Sequence, residues 1–533
     1  MTVARGAEAL VRGDWQAAKE AFAAAGDAPD ALAGLGEATF WLGDIALAVE
    51  IRQRAYVAYR DRGDMAAAAR MALWLAAEHS GALGNPAVGN GWLARAERLI
   101  EALGACVEHG WLLLRRSRSS VDPAAAEQLA RDALAIAHTH RDRDLEIAAI
   151  SQQGRALLAA GRTAEGFACL DEAMAAATSG EVSSHATVSD TCCDMIVACE
   201  RTMAIERATQ WCQVTDDYAR RINFLPLFAF CRVTYAGVLI AIGRWSDAER
   251  ELGEALASYR ASFGKPVLAV AKLAELRVLQ GRDAEAEELV ADHEHEPAAA
   301  RVIAMLHLAR GDADRAVHVL TRRLAAVEHD VLLAAPVLVL AVEAHLANDD
   351  RAAATTAAER LDAIARTSEC QAFAAAASYA IGLVGADAER LEHAIATYAS
   401  IGMPLACARA RLALARTLVD RDPQAAKNAC RAAIASFEEL DARRDLDAAA
   451  DLRRRLGVGA KVGRSASKLT KREQEVLALL GLGLSNAKIG ARLFISPKTV
   501  EHHVSHILEK LGLETRAAAA AYVATHPIKP ATK

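Results

Sequence analysis

Lys488, Lys498, Thr499 and Lys510, with the hydroxyls of Ser485 and Ser496, are residue types that hold nucleic-acid phosphates. The two serines would act at helix N-termini, where free backbone N–H groups already attract anions. Among them stand Glu501, His502 and Ser505, at helical spacing that gathers them on one face. Glutamate can accept a hydrogen bond from the cytosine N4 amine, and serine can pair with several base edges. Phosphate contacts set register and affinity, whereas base contacts set sequence preference, so this set has the chemistry to read a duplex. For each lysine the alternative is an ordinary solvated charge. His503 and His506 flank the face, and packing or water contact accounts for them as well as DNA contact does.

Such side chains need a rigid support, and the surrounding sequence predicts one. Thr470 and Glu473 form a capping box that opens a first helix, with Val476, Leu477 and Leu480 as its buried residues. Gly481 and Gly483 break the run. Ser485 caps a short second helix carrying Ile489 and Leu493, and Gly490 permits close crossing at some cost in helix propensity. After the Phe494-Ile495 turn, Ser496 and Pro497 make an N-cap/N1 pair. In the third helix Val500, Val504, Ile507, Leu508 and Leu511 fall on one face; Lys498, Glu501, His502, Ser505 and Glu509 fall opposite. Gly512 ends it, and a fourth helix is expected from Thr515 to about Thr525, with Tyr522 and Val523 for packing. Three short helices of this kind are the layout of a helix-turn-helix DNA reader.

The stretch resembles the LuxR-type DNA-binding domain of bacterial transcription regulators. The matching residues are Leu469-Thr470, Arg472-Glu473, Glu475-Val476-Leu477, Gly483-Leu484-Ser485-Asn486, Ile495-Ser496, Thr499-Val500, His503, Lys510-Leu511 and Arg516. The resemblance implies a four-helix domain whose third helix enters the major groove and whose fourth helps form a homodimer on DNA. One position departs. Glu501 stands where the family frequently has lysine. A carboxylate cannot hold a phosphate, so the preferred site is expected to differ from that of lysine-bearing relatives.

With 533 residues the chain exceeds one ordinary core, so several domains or a repeat array is expected. Only 12 prolines and 5% aromatics favour helix nearly throughout. Residues 461–533 hold 12 Lys and Arg against 5 Asp and Glu, a charge of +7; with −6 for the whole chain, the remainder carries −13. A cationic segment beside an acidic body fits nucleic-acid binding confined to the C-terminal end. No apolar signal-peptide core or membrane-spanning run is visible, so a cytosolic protein with reduced, buried cysteines is expected.

Residues 1–457 repeat a signature: an apolar residue, Gly three positions on, a small residue five further, an apolar residue four further. Ile240-Gly243-Ala248-Leu252 is the clearest example, with Ala255 following. Leu10-Gly13-Ala18-Phe22, Leu158-Gly161-Gly166-Leu170, Val278-Gly281-Ala286-Val290 and Leu308-Gly311-Ala316-Leu320 match it. Phe40-Gly43-Ala48 begins the same way, but Arg52 takes the last slot. Glycine reverses the chain, small residues admit the second helix, and large ones fill the next interface, so hairpins must stack to bury their faces. The signature resembles tetratricopeptide (TPR) repeats. The expected fold is therefore all-α, a TPR-like α-solenoid over 1–457, then a flexible linker at 458–467 (within the run GVGAKVGRSAS) and a four-helix reader over 468–527, with a tail at 528–533. The irregular glycine spacing leaves the number of repeats, and whether they form one superhelix or two arrays, open.

A repeat array presents surfaces to partners without encoding which. Six of the chain's 25 aromatics lie within residues 211–235. Trp211, Tyr218, Phe224, Phe228 and Tyr235, with Arg220, Arg221 and Arg232, could line an effector pocket for an anionic or planar ligand. The reading that competes with this, and that the pattern favours, is bulky inter-repeat core with an exposed arginine face. Cys192, Cys193, Cys199, Cys212 and Cys231 cluster nearby without Cys-x-x-Cys spacing, which favours inert thiols over a metal or redox sensor. No G-x-x-x-x-G-K-[ST] motif occurs, so P-loop nucleotide switching is not expected. No catalytic or metal-ligand constellation has convincing spacing, so neither enzyme activity nor a cofactor is expected. Two readings follow: a sequence-specific regulator whose body answers to a protein or small effector, or an interaction scaffold merely anchored to DNA.

Overall fold

The computed structural model describes residues 2–222, 225–262, 266–457, 470–482, 484–493, 495–511, 515, 516, 519, 522 and 523. The expected linker at 458–467 and the tail at 528–533 lie outside these residues. The chain divides into two compact units, Met1–Ala449 and Ala450–Lys533. Among the described residues every regular element is a helix.

In the first unit twenty-four helices pair as twelve successive antiparallel hairpins, and a twenty-fifth, Arg443–Leu456, begins at its end. The repeat signature explains the hairpins residue by residue. Gly13, Gly43, Gly161, Gly243, Gly281 and Gly311 all adopt left-handed backbone, with φ between 72° and 89°. A side chain would be strained at each of these turns. Asp14 and Asp44 follow two of these glycines and cap the second helix, accepting from Ala17 N and Leu47 N at 3.2 Å each. The small signature residues Ala18, Ala48, Ala248, Ala286 and Ala316 are completely enclosed, as are Leu170 and Leu252. Burying each such leucine stabilises the stack by about 1.5–3 kcal/mol.

Arg52, the exception in the signature, is buried too. Its guanidinium pairs with Glu78 and lies 4.6 Å from the Trp74 ring centroid and 5.4 Å from that of Phe40. Both members of the ion pair are almost fully enclosed, and burial holds the Arg52 pKa down to about 10. Two neighbouring aromatic rings and a carboxylate thus replace the apolar contact made by other repeats.

Repeats distant in sequence also meet within the body. The His185 ring reaches Tyr218 Oη through Nδ1 at 2.6 Å and the Leu10 carbonyl through Nε2 at 3.1 Å. Trp15 and Trp41 stack with ring centroids 5.1 Å apart, and His185 meets both edge-on. The Cys370 thiol donates to the Thr202 carbonyl at 3.4 Å, and Gly243 sits under Leu440 and Pro404.

Candidate nucleic-acid interface

In the second unit three helices, Lys471–Gly481, Asn486–Leu493 and Pro497–Leu511, surround one apolar core. Val476, Leu477, Leu480, Ile489, Val500, Val504 and Ile507 form it, joined by Ala519. The capping box is made: Thr470 N donates to Glu473 Oε2 at 2.7 Å and Glu473 N donates to Thr470 Oγ1 at 3.2 Å. A Cβ on Gly490 would stand 2.7 Å from the Ile495 carbonyl oxygen, so the tight turn between the second and third helices requires glycine. A Cβ on Gly481 would collide with Val523. Of the expected fourth helix, Thr515 forms a bend, Arg516, Ala519, Tyr522 and Val523 are helical, and the remainder lies outside the described residues.

Two arginines brace this assembly. Arg516 donates to Asn486 Oδ1 at 2.5 Å and to the Leu484 carbonyl, tying the fourth segment to the turn before the second helix. Arg472 pairs with Glu475 at 2.8 Å and reaches the Leu493 carbonyl at the end of the second helix. These contacts account for the three sequence-motif positions Arg472, Asn486 and Arg516.

Opposite the buried stripe of the third helix, Lys498, Thr499, Glu501, His502 and Ser505 are exposed. The His502 and His506 rings lie 4.6 Å apart, one turn from each other. Ser496 Oγ accepts from Thr499 N at 3.1 Å and lies 2.7 Å from Thr499 Oγ1, so these two hydroxyls form the helix cap. Ser505 Oγ donates to the Glu501 carbonyl at 3.1 Å, which leaves its lone pairs for an incoming donor. Ser485 Oγ accepts from Lys488 N at 3.4 Å. Lys488 and Lys498 are exposed and, among the described residues, form no ion pair. The Lys510 side chain lies outside the described part. Arg492 was not singled out from the sequence. It is exposed one turn beyond Lys488 on the same face of the second helix, and that i, i+4 spacing was the signal to follow.

Several of the proposed effector residues are engaged by neighbouring side chains. Trp211 Nε1 donates to Asp171 Oδ1 at 3.0 Å, Tyr218 is buried against His185, and Tyr235 packs on the main core cluster. Arg232 pairs with Glu251 at 2.6 Å and Glu254 at 2.5 Å. Arg220 is exposed; Phe224 and the side chains of Arg221 and Phe228 lie outside the described part. The large cavity of the body, about 550 Å³, is lined by Phe230 from this aromatic segment but by none of those eight residues. The neighbouring thiols are held protonated: burial pushes Cys192 and Cys199 up to about 12, and Cys193 is raised by its hydrogen bond with Cys231 and by burial. Among the described residues no group of three or more His, Cys, Asp or Glu could hold a metal, and no helix is long and apolar enough to cross a membrane.

Three short helices on one core, the third showing a polar face, define the helix-turn-helix class of DNA-binding domains. Residues 467–523 match the bacterial regulatory proteins of the luxR family, so this segment is a LuxR-type helix-turn-helix domain. Over 54 residues the chain is 52% identical to the transcriptional regulatory protein LnrK of Bacillus subtilis, which covers 10% of this chain and 24% of LnrK. Over 78 residues it is 42% identical to the DNA-binding transcriptional activator DevR/DosR of Mycobacterium tuberculosis, covering 15% of this chain and 36% of that protein. The chain therefore spans about a quarter to a third of the length of these relatives. A crystal structure of the APC/C hetero-tetramer Cut9–Hcn1 aligns with 85% of this chain and 95% of its own, at 13% identity and a TM-score of 0.43.

Proposed function

We propose that this protein is a sequence-specific DNA-binding transcription regulator of the bacterial cytoplasm. Its helical-repeat body binds a protein or small effector and thereby controls the C-terminal reader, which engages double-stranded DNA as a homodimer. The observation that carries the reading is the third reader helix, which buries Val500, Val504 and Ile507 while leaving Lys498, Glu501, His502 and Ser505 exposed. In this arrangement Lys488, Arg492 and Lys498 meet phosphates around the groove. The N-terminus of the third helix, capped by Ser496 and Thr499, adds its partial positive charge. Glu501, His502 and Ser505 face base edges, with Glu501 favouring a cytosine amine.

The test is selection of full-length protein against a random duplex library. Recovery of a recurring motif with two-fold symmetry supports the regulator. Uniform retention of all sequences would leave the scaffold anchored to DNA as the better account.

A further inference from the structure

The body contains a partly open cavity of about 550 Å³, within the roughly 300–1,000 Å³ typical of small-molecule sites. Its wall is mostly apolar, with Val197, Phe230, Leu268, Leu332, Pro336 and Phe373 from helices far apart in sequence. Five cations also line it: Arg201, Lys272, Arg301, Arg323 and Arg409.

Three of these cations have their own carboxylates. Lys272 pairs with Glu200, Arg301 with Glu275, and Arg409 grips Asp445 through Nε at 2.7 Å and Nη2 at 3.0 Å. The Glu200–Lys272 pair crosses directly over Gly237, where a Cβ would overlap both charged ends. Glu343, also on the wall, accepts from Tyr379 Oη at 3.0 Å.

Arg201 and Arg323 are different. The carboxylate between them is Asp330, and Arg201 Nη1 lies 4.0 Å from its Oδ2, at the limit of an ion pair. Asp330 Oδ1 is committed elsewhere, accepting from Leu332 N at 3.0 Å and Leu333 N at 3.1 Å to cap the Val331–Ala347 helix. Arg323 forms no ion pair among the described residues; burial and the neighbouring Arg201 hold its pKa below the ordinary value. Arg201 and Arg323, with Arg155 (itself 3.9 Å from Asp194) behind them, thus draw on one partly occupied carboxylate at the edge of an apolar cavity. The wall holds further unsatisfied polarity. Arg301 Nε is buried without a hydrogen-bond partner, and Pro336, which has no N–H, deprives the Leu332 carbonyl of its usual helical donor.

We propose that this cavity binds an amphipathic small molecule with one anionic head group, held between Arg201 and Arg323, its apolar body lying along Pro336 and Phe373. An anion there supplies the missing counter-charge through charge-assisted hydrogen bonds, and the apolar chamber gains by excluding water. The same head group on a compact polar molecule would leave most of the wall unfilled. The inference deepens the reading of the body as the sensing part. Its test needs no DNA, so loss of the ligand site and loss of DNA recognition are separate results.

The experiment uses the full chain and two fluorescent probes sharing one ring system, anionic 8-anilinonaphthalene-1-sulfonate and neutral N-phenyl-1-naphthylamine. Saturable binding of about one sulfonate per chain is expected, about tenfold weaker in Arg201→Gln/Arg323→Gln, with the neutral probe changed less than about twofold. Single Arg323→Gln provides the same comparison should the double variant melt without cooperativity. Decanoate and decyl phosphate then compete against the bound sulfonate; displacement by one more than the other distinguishes a carboxylate from a phosphate head. Sulfonate binding that does not saturate, that is unaffected by the substitutions, or that neither competitor displaces would overturn the proposal.

Discussion

The two units treat their cations in opposite ways. Across the repeat body most arginines are committed, as Arg52 is to Glu78, Arg232 to Glu251 and Arg409 to Asp445. On the reader's outer face Lys488, Arg492 and Lys498 are exposed and, among the described residues, unpaired. Where the reader does commit a cation, as at Arg516, the residue sits between elements and braces them. A committed arginine maintains the fold, whereas an uncommitted lysine is available to something outside the chain. On the cavity wall Arg323 is one of the body's exceptions to this rule, and Arg201 stands at the limit of pairing.

Substitutions can break or sharpen this contrast. The largest effect is expected from Arg52→Ala, which leaves Glu78 buried without its cation and should cost about 3–5 kcal/mol in denaturant unfolding. Replacing both partners together, as Arg52→Leu/Glu78→Leu, should recover most of that loss. A single variant as stable as the parent would show that the pair does not matter. Arg516→Ala removes the ties to Asn486 and Leu484 and should destabilise the reader by about 1–3 kcal/mol, read as earlier melting of the C-terminal unit.

Lys498→Ala should leave stability within about 0.5 kcal/mol, yet weaken binding to every duplex and reduce the salt slope of log K by about one. His502→Ala should leave the salt slope alone and alter the selected sequence. Equal losses from both variants on every probe would defeat the division between phosphate and base contacts. A dependence on pH is expected as well. Cys192 and Cys199 have pKa values raised above the thiol's unfolded value near 8.5, so their contribution to stability is fully present below that pH. It is lost as pH rises from about 8.5 toward 12, and melting of the body should fall across that window.

Much of this arrangement was legible beforehand because it is local. The capping box at Thr470, the cap at Ser496 and the left-handed glycines of the repeats each depend on residues within a few positions of one another. The reader face followed from the 3.6-residue period of Val500, Val504 and Ile507. Less legible was the aromatic segment at 211–235. Local composition left a pocket and an inter-repeat core both open there, and Tyr218 meets a histidine that itself reaches Leu10, a contact between helices far apart in sequence. The chamber is equally non-local, bringing Phe230 to Phe373, and no spacing within one repeat announces it. Arg52 was visible as an anomaly in the repeat, but its explanation lay one hairpin away at Trp74 and Glu78.

The proposal for the reader is that its exposed cations, unpaired among the described residues, hold phosphates. It is tested most directly by measuring duplex affinity against salt for the full-length protein and for Lys488→Ala/Arg492→Ala/Lys498→Ala. The expected result is a slope smaller by about three with unchanged melting of the reader. A triple variant with the parent's slope and affinity would contradict the claim.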